Sequence, residues 1–172
     1  TDADGDGYGD PNSPILACGI GVGVSNNALD CDDTDATVNL DTPEVAGNGQ
    51  DDDCDDFVDE YSIPDTYPTI DDALQAAPDG SVVQLDAGTF INTVDLTGRD
   101  ITFAGEGCDR TLLYGDGQGT TLTMDAGNVQ QMSIAGGFSE NGGGLMIRGE
   151  VSAKHVCITG NSANNSGGGL AV

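Results

Sequence analysis

Met132-Ser133-Ile134-Ala135-Gly136 returns as Val156-Cys157-Ile158-Thr159-Gly160 at a shift of 24, and Gly142-Gly143-Gly144-Leu145 returns as Gly167-Gly168-Gly169-Leu170 at a shift of 25. A period of that length, built of short apolar stretches and Gly turns, is what a solenoid requires, because every coil must offer its neighbour the same inward face. The expected fold is mostly β, a right-handed parallel β-helix. Simple alternation points Met132, Ile134, Val156 and Ile158 inward and Ser133 and Cys157 outward. An all-β sandwich would tolerate short strands but leaves the self-match unexplained.

Working back from the repeat, strands broken by Gly, Asn and Asp are expected at 82–85, 101–104, 111–114, 121–124, 131–135, 144–147, 154–159 and 169–172. Ahead of them, Thr69 can cap a short helix over 69–77. Asp71 and Asp72 suit its first turn, Ile70, Leu74 and Ala77 share one face, and Pro78 with Gly80 ends it. The reading is a capped β-helix start over 69–172 with about four coils, continuing in a longer parent chain. Residues 61–68 read as a linker. Cys108 and Cys157 fall about two coils apart, too far for adjacent rungs, which favours burial or partners elsewhere over a mutual bond.

Residues 1–60 are of another kind. They hold 15 Asp and 2 Glu with no Lys, Arg or His, a charge of -17, whereas 61–172 hold 13 acids against 4 bases, -9 of the total of -26. That balance repels nucleic acid and anionic membranes and attracts cations. The opening run places Asp2, Asp4, Asp6 and Asp10 at positions 1, 3, 5 and 9 of a loop, with Gly7 at position 6 and the Tyr8 carbonyl at position 7. This alternation turns successive oxygens onto one hard cation while Gly allows the bend. An EF-hand would close with Glu at position 12, where Ser13 stands, so an irregular calcium loop is expected without flanking helices. Asp51, Asp53, Asp55 and Asp59 repeat the spacing, with Phe57 at position 7 and Asp56 in place of the Gly. Asp30 and Asp32, with Thr34 or Asp35, supply part of a third shell that another loop would have to complete. Two or three calcium ions are expected.

No CxxC occurs and His155 has no partner His, so a zinc thiolate site has little support. Five Cys in 172 residues fit an extracytoplasmic chain with one or two disulfides. A Cys31–Cys54 bridge would pin two acidic clusters together and compensate for a small apolar core; two free thiols are the alternative. Cys18 has no evident partner.

The series DADGDGYGD, DCDD and EVAGNGQDDDCDDFVDE over residues 1–60 resembles the MopE-type metal-binding motif of large exported bacterial proteins. Its Asp spacing is similar to that of thrombospondin type 3 calcium repeats. The resemblance implies an extracellular metal-binding module, and its Gly-Asn-Gly variant agrees with a Cys31 to Cys54 pairing. The family label mentions copper, but the all-oxygen ligand set argues for calcium. YPTIDDALQAAPDGSVVQLDAGTF and DITFAGEGCDRTLLYGDG resemble the N-terminal cap and next coil of pectate-lyase-like β-helices. ITGNSANNSGGGLAV is similar to the repeat of polymorphic outer-membrane proteins. These likenesses imply fold more than function.

No catalytic motif of the sugar-cleaving branches can be placed on Arg99, Arg110, Arg148, Lys154 or His155. The expectation is a calcium-binding adhesin or stalk segment at the bacterial cell surface or outside the cell. Surface glycans or further copies of the chain are candidate partners, with no nucleic acid and no direct membrane insertion. A polysaccharide-active, lyase-like enzyme and a self-assembling filament subunit are the alternatives.

Overall fold

The computed structural model describes the chain except for Ala17, Ile20, Ala46, Gly47, Asp55, Asp56, Phe57 and Asp59. It divides into two units, Thr1–Glu60 and Tyr61–Val172.

The second unit is a parallel β-solenoid of about five turns, consistent with a right-handed parallel β-helix. The first, partial turn is β1 (Tyr61–Ile63), followed by helix α1 (Ile70–Ala76). Three-strand turns follow: β2 (Val82–Leu85), β3 (Gly88–Ile91) and β4 (Val94–Leu96); then β5 (Thr102–Gly105), β6 (Thr111–Tyr114) and β7 (Leu122–Met124). The last two are β8 (Asn128–Ala135), β9 (Phe138–Asn141) and β10 (Leu145–Ile147), and β11 (Ser152–Ile158), β12 (Ser162–Ser166) and β13 (Leu170–Ala171). Every pairing is parallel. Residues 61–63, read as linker, instead form the first rung: Ile63 is buried and pairs with Leu85.

The inward ladders follow from the register. Val83, Phe103 and Val129 stack on one wall, Leu113 and Ile134 on a second, and Val94, Leu122 and Leu145 on a third, all buried. Each rung repeats the apolar-in, polar-out pleat, so the core is a column rather than a globule. Met132 and Ile134 lie inside and pair with Val156 and Ile158, as alternation requires, but Gln131 interrupts the alternation in β8. Gln131 and His155, one rung apart, both adopt the left-handed backbone (φ 54° and 51°). This stacked kink lets Val129 and Met132 both face inward. Before it β8 pairs with β5, and after it with β6.

Helix α1 closes the first turn. The Thr69 hydroxyl accepts the Asp72 N–H at 3.2 Å, and Ile70 and Ala73 are buried against the core. At the other end Arg99 donates to the Leu74 and Ala77 carbonyls (3.3 and 2.6 Å) and pairs with Asp79 at 3.0 Å. It thereby satisfies carbonyls that a helix end leaves without partners.

Two disulfides are present, Cys31–Cys54 and Cys108–Cys157, while Cys18 is free and exposed. The second corrects the expectation that coil spacing would keep Cys108 and Cys157 apart. Along the chain, β8 lies further from β5 (Thr102 pairs with Asn128) than from β6 (Leu112 pairs with Ser133). The surplus residues leave the wall as the turn between β5 and β6, with Cys108 in it. That turn reaches across the intervening rung, where small Ser133 donates to the Cys108 carbonyl at 2.7 Å. Ser133 is in register with Cys157, so the bridge passes over it.

Candidate metal centre

Among its described residues, the first unit has no helix or strand, and Val38 is its one buried hydrophobic side chain. The rest of its interior is polar: Asp2, Asp30, Asn39, Glu44, Asp52 and Glu60 are buried. Side chains therefore hold the backbone where ladders would hold it in a sheet. Asp2 accepts the Gly5 N–H (2.9 Å), Asp4 that of Asp6 (3.2 Å), Asp6 that of Tyr8 (2.7 Å) and Asp30 that of Asp32 (2.8 Å). In each of these turns one carboxylate oxygen, Oδ1, is tied to the local backbone. Gly5 and Gly7 at φ 85° and 99° permit the reversals between them.

The carboxylates converge. Ligand atoms of Asp2, Asp4 and Asp6 lie within 4.8 Å of one another, and so do those of Asp4, Asp30 and Asp33. Asp4 belongs to both groups. Its Oδ2 and that of Asp30 are buried and receive no hydrogen bond. Asp33 is anchored by Thr1 Oγ1 and the Ala3 N–H, both at 2.6 Å, and Asp6 Oδ2 accepts Asn39 Nδ2 at 2.8 Å. Burial, against the lowering effect of the Asp6 N–H and with help from Asp6, Asp2 and Asp33, pushes the Asp4 carboxyl above the usual range. Burial does the same to Asp30, where the Asp32 N–H opposes it and Asp4, Asp6 and Asp33 add to it. Two buried acceptors without donors, among five carboxylates, suit a hard cation that takes oxygen ligands only.

A third group joins Glu44, Asp53 and Glu60. Glu44 Oε1 accepts the Asp52 and Asp53 N–H groups, and Asp52 Oδ2 accepts Asn48 Nδ2 at 2.6 Å. Cys31–Cys54 ties the chain beside Asp53 to the chain beside Asp30 and Asp32.

The other expected ligands make local contacts of their own. Asp10 Oδ1 accepts the Asn12 N–H, Asp32 holds Thr34 by hydroxyl and N–H, and Asp35 holds Thr37 in the same way. Asp10, Asp32, Asp35 and Asp51 fall outside the three groups. The Tyr8 hydroxyl donates to Asp41. Asp55, Phe57 and Asp59 lie outside the described residues. Conversely, Asp33, Glu44 and Glu60 join groups without fitting the alternating spacing; Asp33 and Glu60 belong to the acidic runs that hold Cys31 and Cys54, whereas Glu44 stands outside both runs.

In the solenoid, Arg99 and Arg110 pair with Asp79 and Glu106, while Arg148 makes no ion pair within 4 Å among the described residues. No helix among the described residues is long and apolar enough to cross a membrane.

Comparison with protein-family models, curated protein sequences and solved structures finds no match.

Proposed function

We propose that the first unit is a calcium-binding module and that the chain is a segment of an exported bacterial surface protein, with the β-solenoid serving as a stalk or adhesin body. The observation that carries the metal reading is the pair of buried oxygens, Asp4 Oδ2 and Asp30 Oδ2, brought into one group from two loops and lacking any hydrogen-bond donor. Asp2, Asp4, Asp6, Asp30 and Asp33 together bring five negative charges to that space. Calcium fits better than magnesium because its shell of six to eight oxygens is irregular and tolerates mixed loops. Nitrogen and thiolate ligands, which softer metals prefer, are missing from the three groups.

Two disulfides favour an oxidising compartment outside the cytoplasm. With Val38 the one buried hydrophobic side chain among its described residues, a unit of this kind depends on bridge and cation for its order. Calorimetric titration of the full chain with calcium, paired with melting in calcium and in chelator, tests the reading. Binding with a raised melting temperature is expected. Absence of both binding heat and stabilisation would remove the metal role.

A further inference from the structure

We infer a docking edge for a basic, extended peptide on β3, at the capped end of the solenoid. Among the described residues, strand β3 pairs only with β6 and ends its sheet. The Gly88 and Asn92 N–H groups donate to Arg110 and Tyr114 of the β6 side, at 2.9 and 3.1 Å. Because alternate residues of a parallel strand bond to opposite neighbours, the N–H and C=O of Thr89 and Ile91 face the open side.

The rung above is incomplete. Strand β1 covers β2, but the chain then turns through Pro64 and Pro68 into α1, so the solenoid stacks no strand over β3. The gap is a cleft of about 460 Å³, lined among others by Ile63, Pro64, Pro68, Ile70, Phe90 and Ile91. Ile91 is 74 % exposed and Phe90 is half-buried. Natural sheets guard such edges with charge, proline or a cover. At this end β4, also at the end of its sheet, carries Asp95, whereas Gly88-Thr89-Phe90-Ile91 carries neither charge nor proline.

The chemistry of the occupant follows from the surroundings. Open backbone groups select an extended strand, and the cleft beside Phe90 and Ile91, lined also by Thr69, Asp71, Thr89 and Asn92, takes one or two of its alternate side chains. Asp71 lines the cleft, no basic residue does, and residues 61–172 carry a net charge of -9. An acidic peptide is repelled there, and one with flanking Lys or Arg is attracted. This inference is independent of the calcium reading.

The test uses the full ¹⁵N-labelled chain in saturating calcium and an acetylated probe peptide, Lys-Val-Thr-Val-Thr-Val-Lys. Amide shifts confined to 63–71 and 88–92 are expected, with at least tenfold weaker binding when both Lys are replaced by Glu. Ile91→Lys should cost a similar factor, whereas Ile91→Val should bind as the parent does. Unchanged solenoid amides in Ile91→Lys show that its fold is intact. No shifts at millimolar peptide, shifts elsewhere, or equal binding of the Glu peptide would each overturn the assignment.

Discussion

Asp30→Asn should raise stability in the absence of calcium and shrink the increment that calcium adds. Asn keeps the oxygen that accepts the Asp32 N–H and turns an amide toward the Asp4 side, where a buried oxygen lacks a donor. It also removes one charge from a group whose ligand atoms lie within 4.8 Å of one another. Two unit charges at that distance repel by about 3.5 kcal/mol at an effective dielectric of about 20. After relaxation and screening, a gain of roughly 1 to 3 kcal/mol is expected in chelator, or of order 5 to 15 °C for a unit this small. With calcium the substitution removes a charged ligand, which weakens binding about tenfold or more. If calcium at a hundred times its Kd stabilises the parent by about 2.7 kcal/mol, the variant keeps about 1.4 kcal/mol of that. Scanning calorimetry of both chains in chelator and in calcium reads the four melting temperatures. A variant less stable than the parent in chelator, yet with the full calcium increment, would refute the convergence of Asp30 and Asp4 on one ion.

In the solenoid, Cys108→Ser with Cys157→Ser opens a closure of 49 residues, worth about 4 kcal/mol on the chain-entropy model; urea unfolding followed by far-ultraviolet circular dichroism should show most of that loss. Gly143→Ala places a Cβ 2.1 Å from the Ser162 carbonyl oxygen and 2.8 Å from that of Gly168, both backbone. It should cost at least about 2 kcal/mol in the same assay, because a rung must shift. Leu122→Ala, at a site stacked between Val94 and Leu145, should cost about 2 to 5 kcal/mol. The Asp95 carboxyl is held below its usual range chiefly by the Thr97 hydroxyl, then by the Thr97 N–H, with Arg148 adding to the effect. Its contribution to stability is therefore present above the ordinary carboxylate pKa and fades as pH falls through the lowered one. Thr97→Ala should raise that pKa toward the ordinary value, read by carboxyl ¹³C titration.

The repeat was legible where coils have equal length. The match of Met132 with Val156 is the β8–β11 register, and the match of Leu145 with Leu170 is the β10–β13 register. The two shifts differ by one because of an irregularity in β12, between Ala163 and Ser166. Earlier turns show no such match because their lengths vary: Val82 pairs with Thr102, whereas Val94 has to reach Leu122, a markedly longer step along the chain. Strands β9 and β12 leave little trace in the sequence because FSEN and SANNS carry few apolar side chains, and they hold their places through the backbone of neighbouring rungs. In the acidic unit, spacing brings out Asp2, Asp4 and Asp6, whose turns are local. It could not bring out Asp33, because that residue meets Asp4 only after the chain has folded back on its own beginning.

The bridge between Cys108 and Cys157 also changes how the solenoid would carry tension. Pulled from Tyr61 and Val172, force follows the backbone to Cys108, crosses the sulfurs to Cys157 and continues to the end, so the rungs between are bypassed. Those 49 residues represent about 170 Å of extended chain that cannot unravel while the bond is intact. The middle of the column is thus a locked length, and yielding under load is confined to the rungs outside it.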